Sequence, residues 1–158
     1  MTGRNPGVEP VECAEVVYRA LYKTWVQGER IASVAFMRRI REPEPESALS
    51  LSRQKYTTAR ECRLKLRGMT RAASLHVGRV RDLKFGLDVL PDPEHDREGN
   101  LIDPGHCLLI NLPHPVNDEE AAEVVASQLI KIARYVTPEQ EEQEEQEHQD
   151  RHGTPNHT

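Results

Sequence analysis

Four residues are the candidates for chemistry in this chain: Arg19, Ser52, Glu61 and His106. Arg19 lies within an apolar stretch, where an arginine is costly unless it is paired or binds an anion. His106 stands where a polar loop meets an apolar run, and long loops beside strand ends often carry functional residues. Plain structural roles compete with these. Arg19 could lie at a sheet edge or pair with Glu61, and His106 could bond to loop backbone.

No established catalytic or metal-binding motif surrounds these four residues. His95, His106 and His114 lie near Cys107 in the sequence, but neither a Cys-x-x-Cys nor a His-Glu-x-x-His spacing is present. The glycines form no phosphate-binding loop, and no G-x-S-x-G turn occurs. We therefore predict no metal site and no cofactor, and whether the three histidines converge is left open.

A second kind of candidate is a concentration of positive charge. Residues 53–84 contain ten Lys and Arg against two Asp and Glu, whereas residues 85–123 contain one Arg and ten acidic residues. The basic residues could mix with the acidic ones on the folded surface, or gather on one face and attract a polyanion. The predicted binding residues are Lys55, Arg60, Arg63, Lys65, Arg67 and Arg71.

The C-terminal segment is strongly acidic. Residues 139–158 contain seven acidic residues and one arginine. Glu/Gln-rich sequence cannot bury apolar surface, so disorder is predicted over 138–158. Such a tail could compete with an external polyanion for the basic face.

The patterning of the chain predicts an α+β (or α/β) domain. A strand over 17–21 is followed by a helical turn carrying Trp25, and residues 107–112 read as a central strand. Thr58 and Glu61 form a capping box for a short basic helix over 59–67, and the longest helix spans 118–136. We expect one small mixed sheet with the short basic helix and the long C-terminal helix packed on it. The predicted organisation is a flexible N-terminus at 1–10, a globular domain at 11–137 and the acidic tail.

Composition limits the class of protein. The chain has 158 residues, of which 37% are hydrophobic, which suits one modest core. No apolar run is long enough for a membrane helix, and no secretory signal is visible. Three widely separated cysteines are typical of reduced thiols, so a cytoplasmic location is predicted.

A set of short motifs resembles a group of small bacterial proteins to which no activity is assigned. These motifs are Arg19, Ser33, Ala35-Phe36, Leu49-Ser50-Leu51-Ser52, Leu87-x-Val89-x-Pro91-Asp92-Pro93 and His106. The likeness covers roughly residues 17–136.

A fainter resemblance is to the ADP-ribosyltransferase-like fold, which has an early arginine, a later serine and an acidic residue further on. Arg19, Ser52 and Glu61 occur in that order here, although the serine–threonine–serine triplet is absent. This resemblance implies a small enzyme or toxin that acts on NAD or a nucleotide. The preferred hypothesis is a non-enzymatic binding or accessory module that contacts a protein partner or a nucleic acid through its basic face.

Overall fold

The computed structural model describes residues 6–40 and 46–152, and these form an α+β fold, as predicted. The strands are β1 Val16–Tyr22, β2 Val26–Gln27, β3 Arg30–Ile31, β4 Leu49–Arg53, β5 Met69–His76, β6 Asp88–Pro91, β7 Glu94–His95, β8 Leu101–Asp103, β9 His106–Ile110 and β10 Arg134–Val136. The helices are α1 Ala59–Leu64, α2 Val77–Asp82, α3 Glu119–Ile132 and α4 Pro138–His152, and short 3-10 turns occupy Lys23–Trp25 and Ser33–Phe36.

Six strands form one sheet in the order β10-β5-β1-β4-β9-β6. Every pairing within it is antiparallel, so the expectation of a mixed sheet is wrong in this detail. The chain moves to a neighbouring strand of this sheet only from β1 to β4 and from β6 to β9, whereas α1, α2 and α3 carry it past other strands from β4 to β5, from β5 to β6 and from β9 to β10. The pairs β2–β3 and β7–β8 are separate two-stranded hairpins.

One side of the sheet, here called the core face, carries the apolar side chains. Val17 and Leu21 of β1 point to this side and belong to the same apolar cluster as Leu75 of β5 and Leu109 of β9. Helix α3 contributes Leu129 to the same cluster, and Leu129 is fully buried. Burial of an aliphatic side chain contributes about 1.5 to 3 kcal/mol, so this layer supplies most of the stability of the fold.

The other side of the sheet, here called the polar face, is covered by α1 and α4. Tyr18 and Ala20 of β1 point to this side and pack with Cys62 of α1 and with Val136. Helix α1 begins as predicted: the Thr58 hydroxyl accepts a hydrogen bond from the Glu61 backbone N–H. The helix ends at Leu64 rather than at residue 67.

The acidic segment, for which the sequence predicts disorder over 138–158, is helical where the structure describes it, as α4. Thr137 and Gln140 form a reciprocal cap, in which each backbone N–H donates to the other side chain, and α4 follows. Glu141 of this helix is 6% exposed. Residues 153–158 lie outside the described residues. The composition argument considered only apolar burial, whereas α4 contacts the domain through carboxylates, as in the ion pair of Glu141 with Arg63.

The N-terminal segment also differs from the expectation of flexibility. Within residues 6–10, Gly7 is buried, and Glu9 accepts a hydrogen bond from the Tyr56 hydroxyl. Residues 1–5 lie outside the described residues. Over the described ranges, no helix combines the length and apolar character needed to cross a membrane.

Candidate functional site

Arg19 lies in the middle of β1 and points to the core face. Its Nε donates to the Ala35 carbonyl oxygen at 3.0 Å, and its Nη1 donates to the Ser50 carbonyl oxygen at 3.2 Å. Its Cζ is 5.5 Å from the centroid of the Trp25 ring. Neither a sheet edge nor a pairing with Glu61 explains this arginine. Burial lowers the pKa of its guanidinium to about 10.

Ser52 and His106 lie side by side on the polar face, away from Arg19. Ser52 is opposite Tyr18 on β1 and opposite His106 on β9, so three polar side chains cross three neighbouring strands. Residues opposite one another in antiparallel strands point to the same side of the sheet. Sequence analysis did not include Tyr18 among the candidates for chemistry. That Tyr18 lies opposite Ser52 depends on the register of β1 with β4, which the sequence does not specify.

Ser52 is held by a lysine that the sequence placed in a different group of candidates. Lys65 Nζ is 3.1 Å from Ser52 Oγ and 2.7 Å from Asp103 Oδ2. Ser52 is 4% exposed, so a substrate could not reach its hydroxyl without a rearrangement. Lys65 is in an ion pair with the Asp103 carboxylate, and its contact with Ser52 Oγ joins the serine to that pair.

The two buried thiols, Cys62 on the polar face and Cys107 on the core face, are not activated. Burial raises the pKa of the Cys62 thiol, and it raises the pKa of Cys107 to about 12. Both cysteines therefore remain protonated at neutral pH, whereas a nucleophilic cysteine requires the thiolate.

His106 contacts Asp92, which directly follows strand β6. Its Nδ1 is 2.9 Å from the Asp92 carbonyl oxygen and 3.1 Å from Asp92 Oδ2. Because both of these atoms accept hydrogen bonds, Nδ1 carries the hydrogen. His114 has a different task, since its Nδ1 accepts from the backbone N–H groups of Val116 and Asn117. In the portion of the chain that the structure describes, no three His, Cys, Asp or Glu side chains are grouped as metal ligands.

Glu61 completes the helix cap rather than facing a substrate. Its Oε1 accepts from the Thr57 hydroxyl at 3.3 Å and lies 3.4 Å from Thr58 Oγ1. A cleft of about 760 Å³ lies between α4 and strands β1, β5 and β10, and neither Glu61 nor the other three chemical candidates line it. The structure thus brings Ser52 and His106 together and leaves Arg19 on the opposite side of the sheet.

Half of the six predicted binding residues are neutralised by carboxylates. Lys55 Nζ is 2.9 Å from Glu9 Oε2, and Lys65 pairs with Asp103 as described above. Arg63 pairs with Glu141 through Nη2 at 2.9 Å and through Nε at 2.9 and 3.1 Å. The fold therefore interleaves part of the basic stretch with acidic residues.

The remaining three, Arg60, Arg67 and Arg71, have no carboxylate partner among the described residues. Arg60 and Arg67 are exposed, while Arg71 donates to the Tyr135 hydroxyl at 2.8 Å and to the Thr70 carbonyl oxygen at 2.7 Å. These side chains keep most of their charge available to an external anion.

Two further cations, Lys23 and Arg39, lie next to Tyr22 at the end of β1. The Cζ of Arg39 is 5.3 Å from the centroid of the Tyr22 ring, and Lys23 follows Tyr22 directly. Gly68, next to Arg67, packs against the same ring, since a Cβ at position 68 would lie 3.3 Å from Tyr22 Cε1. Tyr22 also contacts Trp25, and their ring centroids are 4.7 Å apart.

We call this group the arginine surface. It consists of Lys23, Arg39, Arg60, Arg67 and Arg71; the first two and Arg67 lie next to Tyr22 or Gly68, Arg60 is at the start of α1, and Arg71 is on β5 opposite Leu21.

Sequence reasoning found three of these five residues. It missed Lys23 and Arg39 because they precede residues 53–84, where the basic residues are concentrated. The available signal was Lys23 between the aromatic residues Tyr22 and Trp25.

The chain was compared with protein families, curated proteins and solved structures. No family model matches it, and no curated protein or solved structure does either.

Proposed function

We propose that the protein is a binding module that holds a nucleic acid on the arginine surface. Two observations support this most: Arg39 packs on the Tyr22 ring with Lys23 and Arg67 close by in the chain, and Arg60, Arg67 and Arg71 lack a carboxylate partner within the described part of the chain. A guanidinium presents a planar set of donors that matches a phosphate, and four of the five cations are arginines. Tyr22 and Trp25 are partly exposed, and aromatic rings beside cations favour single strands with accessible bases.

A second candidate ligand is an acidic segment of a protein partner. It is favoured by Leu64 and Leu66, which are 61% and 50% exposed between the arginines of α1 and its following turn. Exposed leucines would pack against apolar side chains of a partner and have no counterpart on a phosphate backbone.

The test is fluorescence anisotropy with a labelled 20-nucleotide oligo(dT), a 20-bp duplex and a 20-residue peptide of glutamate and leucine. We expect the oligo(dT) to bind, with an affinity that falls as NaCl rises from 50 to 200 mM. In a Lys23→Gln/Arg60→Gln/Arg67→Gln variant, the affinity should fall at least about tenfold and the salt slope should decrease by about three.

The matched control is Arg79→Gln/Arg97→Gln/Lys131→Gln, which removes the same charge from exposed positions elsewhere. Equal weakening by the two variants would show that net charge, and not the arginine surface, causes the binding. If the peptide binds and the oligo(dT) does not, the nucleic-acid proposal is overturned and the acidic partner takes its place.

The alternative of an enzyme that acts on NAD or a nucleotide receives less support from the geometry. It requires Arg19, Ser52 and Glu61 to converge, and the sheet separates Arg19 from Ser52. Incubation with NAD followed by detection of free nicotinamide tests it directly.

For location we propose the cytoplasm, because Cys13, Cys62 and Cys107 are all free.

A further inference from the structure

Helix α4 is attached to the domain by carboxylates. Glu141 receives the hydrogen bonds of Arg63, and Glu144 accepts from the Ala59 backbone N–H at 2.8 Å. The Tyr18 hydroxyl donates to Glu144, and the Thr58 hydroxyl donates to Glu145. These three glutamates, at positions 141, 144 and 145, share the face of α4 that meets α1.

The same helix has no apolar side chain with which to hold itself in place. After Pro138 its sequence is Glu, Gln, His, Asp and Arg throughout. Seven acidic residues lie in it, and carboxylates three or four positions apart repel one another. A helix of about 15 residues is marginal in water by itself, so α4 depends on its docked contacts. Those contacts are ionic or polar, and salt weakens the ionic ones.

Arg63, which is paired with Glu141 of α4, lies in the sequence between two residues of the arginine surface, Arg60 and Arg67. Arg60 is three positions before Arg63, the spacing that places both side chains on one side of α1, whereas Arg67 lies in the turn that follows the end of α1 at Leu64. Arg63 is partly exposed even in its ion pair, with 20% of its side-chain surface accessible. Freed from Glu141, Arg63 would add its charge to that of Arg60 on the same side of α1.

A carboxylate and a phosphate compete for the same donors of an arginine. Glu141 already uses Nε and Nη2 of Arg63 together, which is the fork that would bind a phosphate. In addition, the negative charge of α4 near α1 opposes the approach of a polyanion.

We infer that α4 is a built-in competitor, which a nucleic acid must displace from Arg63 in order to bind the complete arginine surface. This inference rests on the proposed function. It assigns to the acidic helix a regulatory role: the domain binds weakly while α4 is docked and more tightly once α4 has been released.

The test compares two triple variants of the full chain. In the docking variant, Glu141→Gln/Glu144→Gln/Glu145→Gln, the three carboxylates that contact the domain are neutralised while helix-forming side chains are kept. In the control, Glu139→Gln/Glu142→Gln/Asp150→Asn, three exposed acidic residues of α4 that make no contact with α1 are neutralised. The two variants have the same net charge, so their difference reports docking alone.

Two measurements are made on each protein. Amide hydrogen exchange over residues 138–152 reports whether α4 is docked, independently of any ligand. Anisotropy with the 20-nucleotide oligo(dT) at 100 mM NaCl reports binding. We expect fast exchange in α4 and an affinity about tenfold higher for the docking variant than for the control, within the five- to 150-fold range of typical coupling between sites.

The outcomes separate the inference from the proposed function. If the docking variant exchanges fast but binds within about twofold of the control, α4 is not a competitor although the arginine surface binds nucleic acid. If α4 exchange is unchanged in the docking variant, the three glutamates do not hold the helix and the inference is also overturned. If the wild type and both variants fail to bind oligo(dT), the proposed function fails and the inference fails with it, whatever the exchange shows.

Discussion

Two arginines are buried on the core face of neighbouring strands, and their surroundings differ. Arg53 on β4 is fully buried, and it donates to Glu15 through Nε at 2.9 Å and through Nη2 at 2.7 Å. Arg19 on β1 has two carbonyl partners and the Trp25 ring, and its Nη2 is buried without a hydrogen-bond partner among the described residues. Arg53 is a paired charge, whereas Arg19 has no carboxylate in ion-pair contact among residues 6–40 and 46–152, and the charge of Glu46 acts on it only from a distance.

The difference shows what each arginine does for the fold. Arg53 also donates to the carbonyl oxygens of Gly7, Glu9 and Pro10, so it fastens the N-terminal segment to the sheet. Burial opposes its charge, but the hydrogen bonds and charge of Glu15 outweigh this and raise the pKa of the guanidinium. For Arg19, burial is the largest influence and is not compensated, so its pKa is lowered. A buried arginine is therefore a stabilising anchor in one place and an energetic cost in the other.

The largest expected effect comes from removing the anchor. Arg53→Met leaves Glu15 without its partner and three carbonyl groups without donors, and breaking a buried ion pair in this way costs about 3 to 5 kcal/mol. We expect a loss of that size in the free energy of unfolding, measured by urea denaturation. A loss below about 1 kcal/mol would show that the network around Arg53 does not anchor the N-terminal segment.

An intermediate effect is expected from acid. Burial of Glu9 is outweighed by hydrogen bonds from Tyr56 and Lys55, which lower its pKa to about 2, and the pKa of Glu15 is also lowered because hydrogen bonds from Arg53 outweigh its burial. A carboxylate with a lowered pKa stabilises the fold above its unfolded value near 4.5, and this contribution is lost as the pH falls towards 2.

The measurement is the free energy of unfolding from pH 5 to pH 2, compared between the wild type and Glu9→Gln/Glu15→Gln. We expect the wild type to lose more stability across this window than the variant. The same decline in both proteins would contradict the lowered pKa values.

The smallest effect is expected at the other arginine. Arg19→Met replaces an uncompensated buried cation with an apolar side chain of similar length that still packs on Trp25. Replacing buried charge by apolar groups is often neutral or stabilising, so we expect the free energy of unfolding to change by less than about 1 kcal/mol. A loss comparable with that of Arg53→Met would show that the two sites are equivalent, and the comparison would then be wrong.

Much of the fold could be predicted because its signals are local. The capping residues of α1, the strand ending before the turn at Trp25 and the long amphipathic helix each depend on neighbours in sequence. The antiparallel order of the sheet could not be predicted, because alternation of polar and apolar residues does not specify which strand pairs with which.

The candidate site was predicted less completely than the fold. The basic residues were found by their type, but which of them keep free charge depends on long-range partners such as Glu141 for Arg63 and Asp103 for Lys65. Likewise, Arg19 and Arg53 are both arginines in strands, and their different partners come from segments up to 46 residues away in the chain. The helix predicted over 118–136 ends at Ile132, because residues 134–136 pair with β5 as strand β10, which is also a long-range contact.

The hydrophilic character of α4 has a consequence for the behaviour of the protein in solution. Because α4 has no apolar side chain after Pro138, it can detach from the domain without exposing apolar surface of its own to neighbouring molecules. Detachment would uncover Ser74, Tyr18 and Gln54, which water hydrates readily, together with the apolar side chains of Val16, Ile132 and Val136. Any tendency of the opened protein to aggregate would therefore come from those three residues of the domain and not from the released helix.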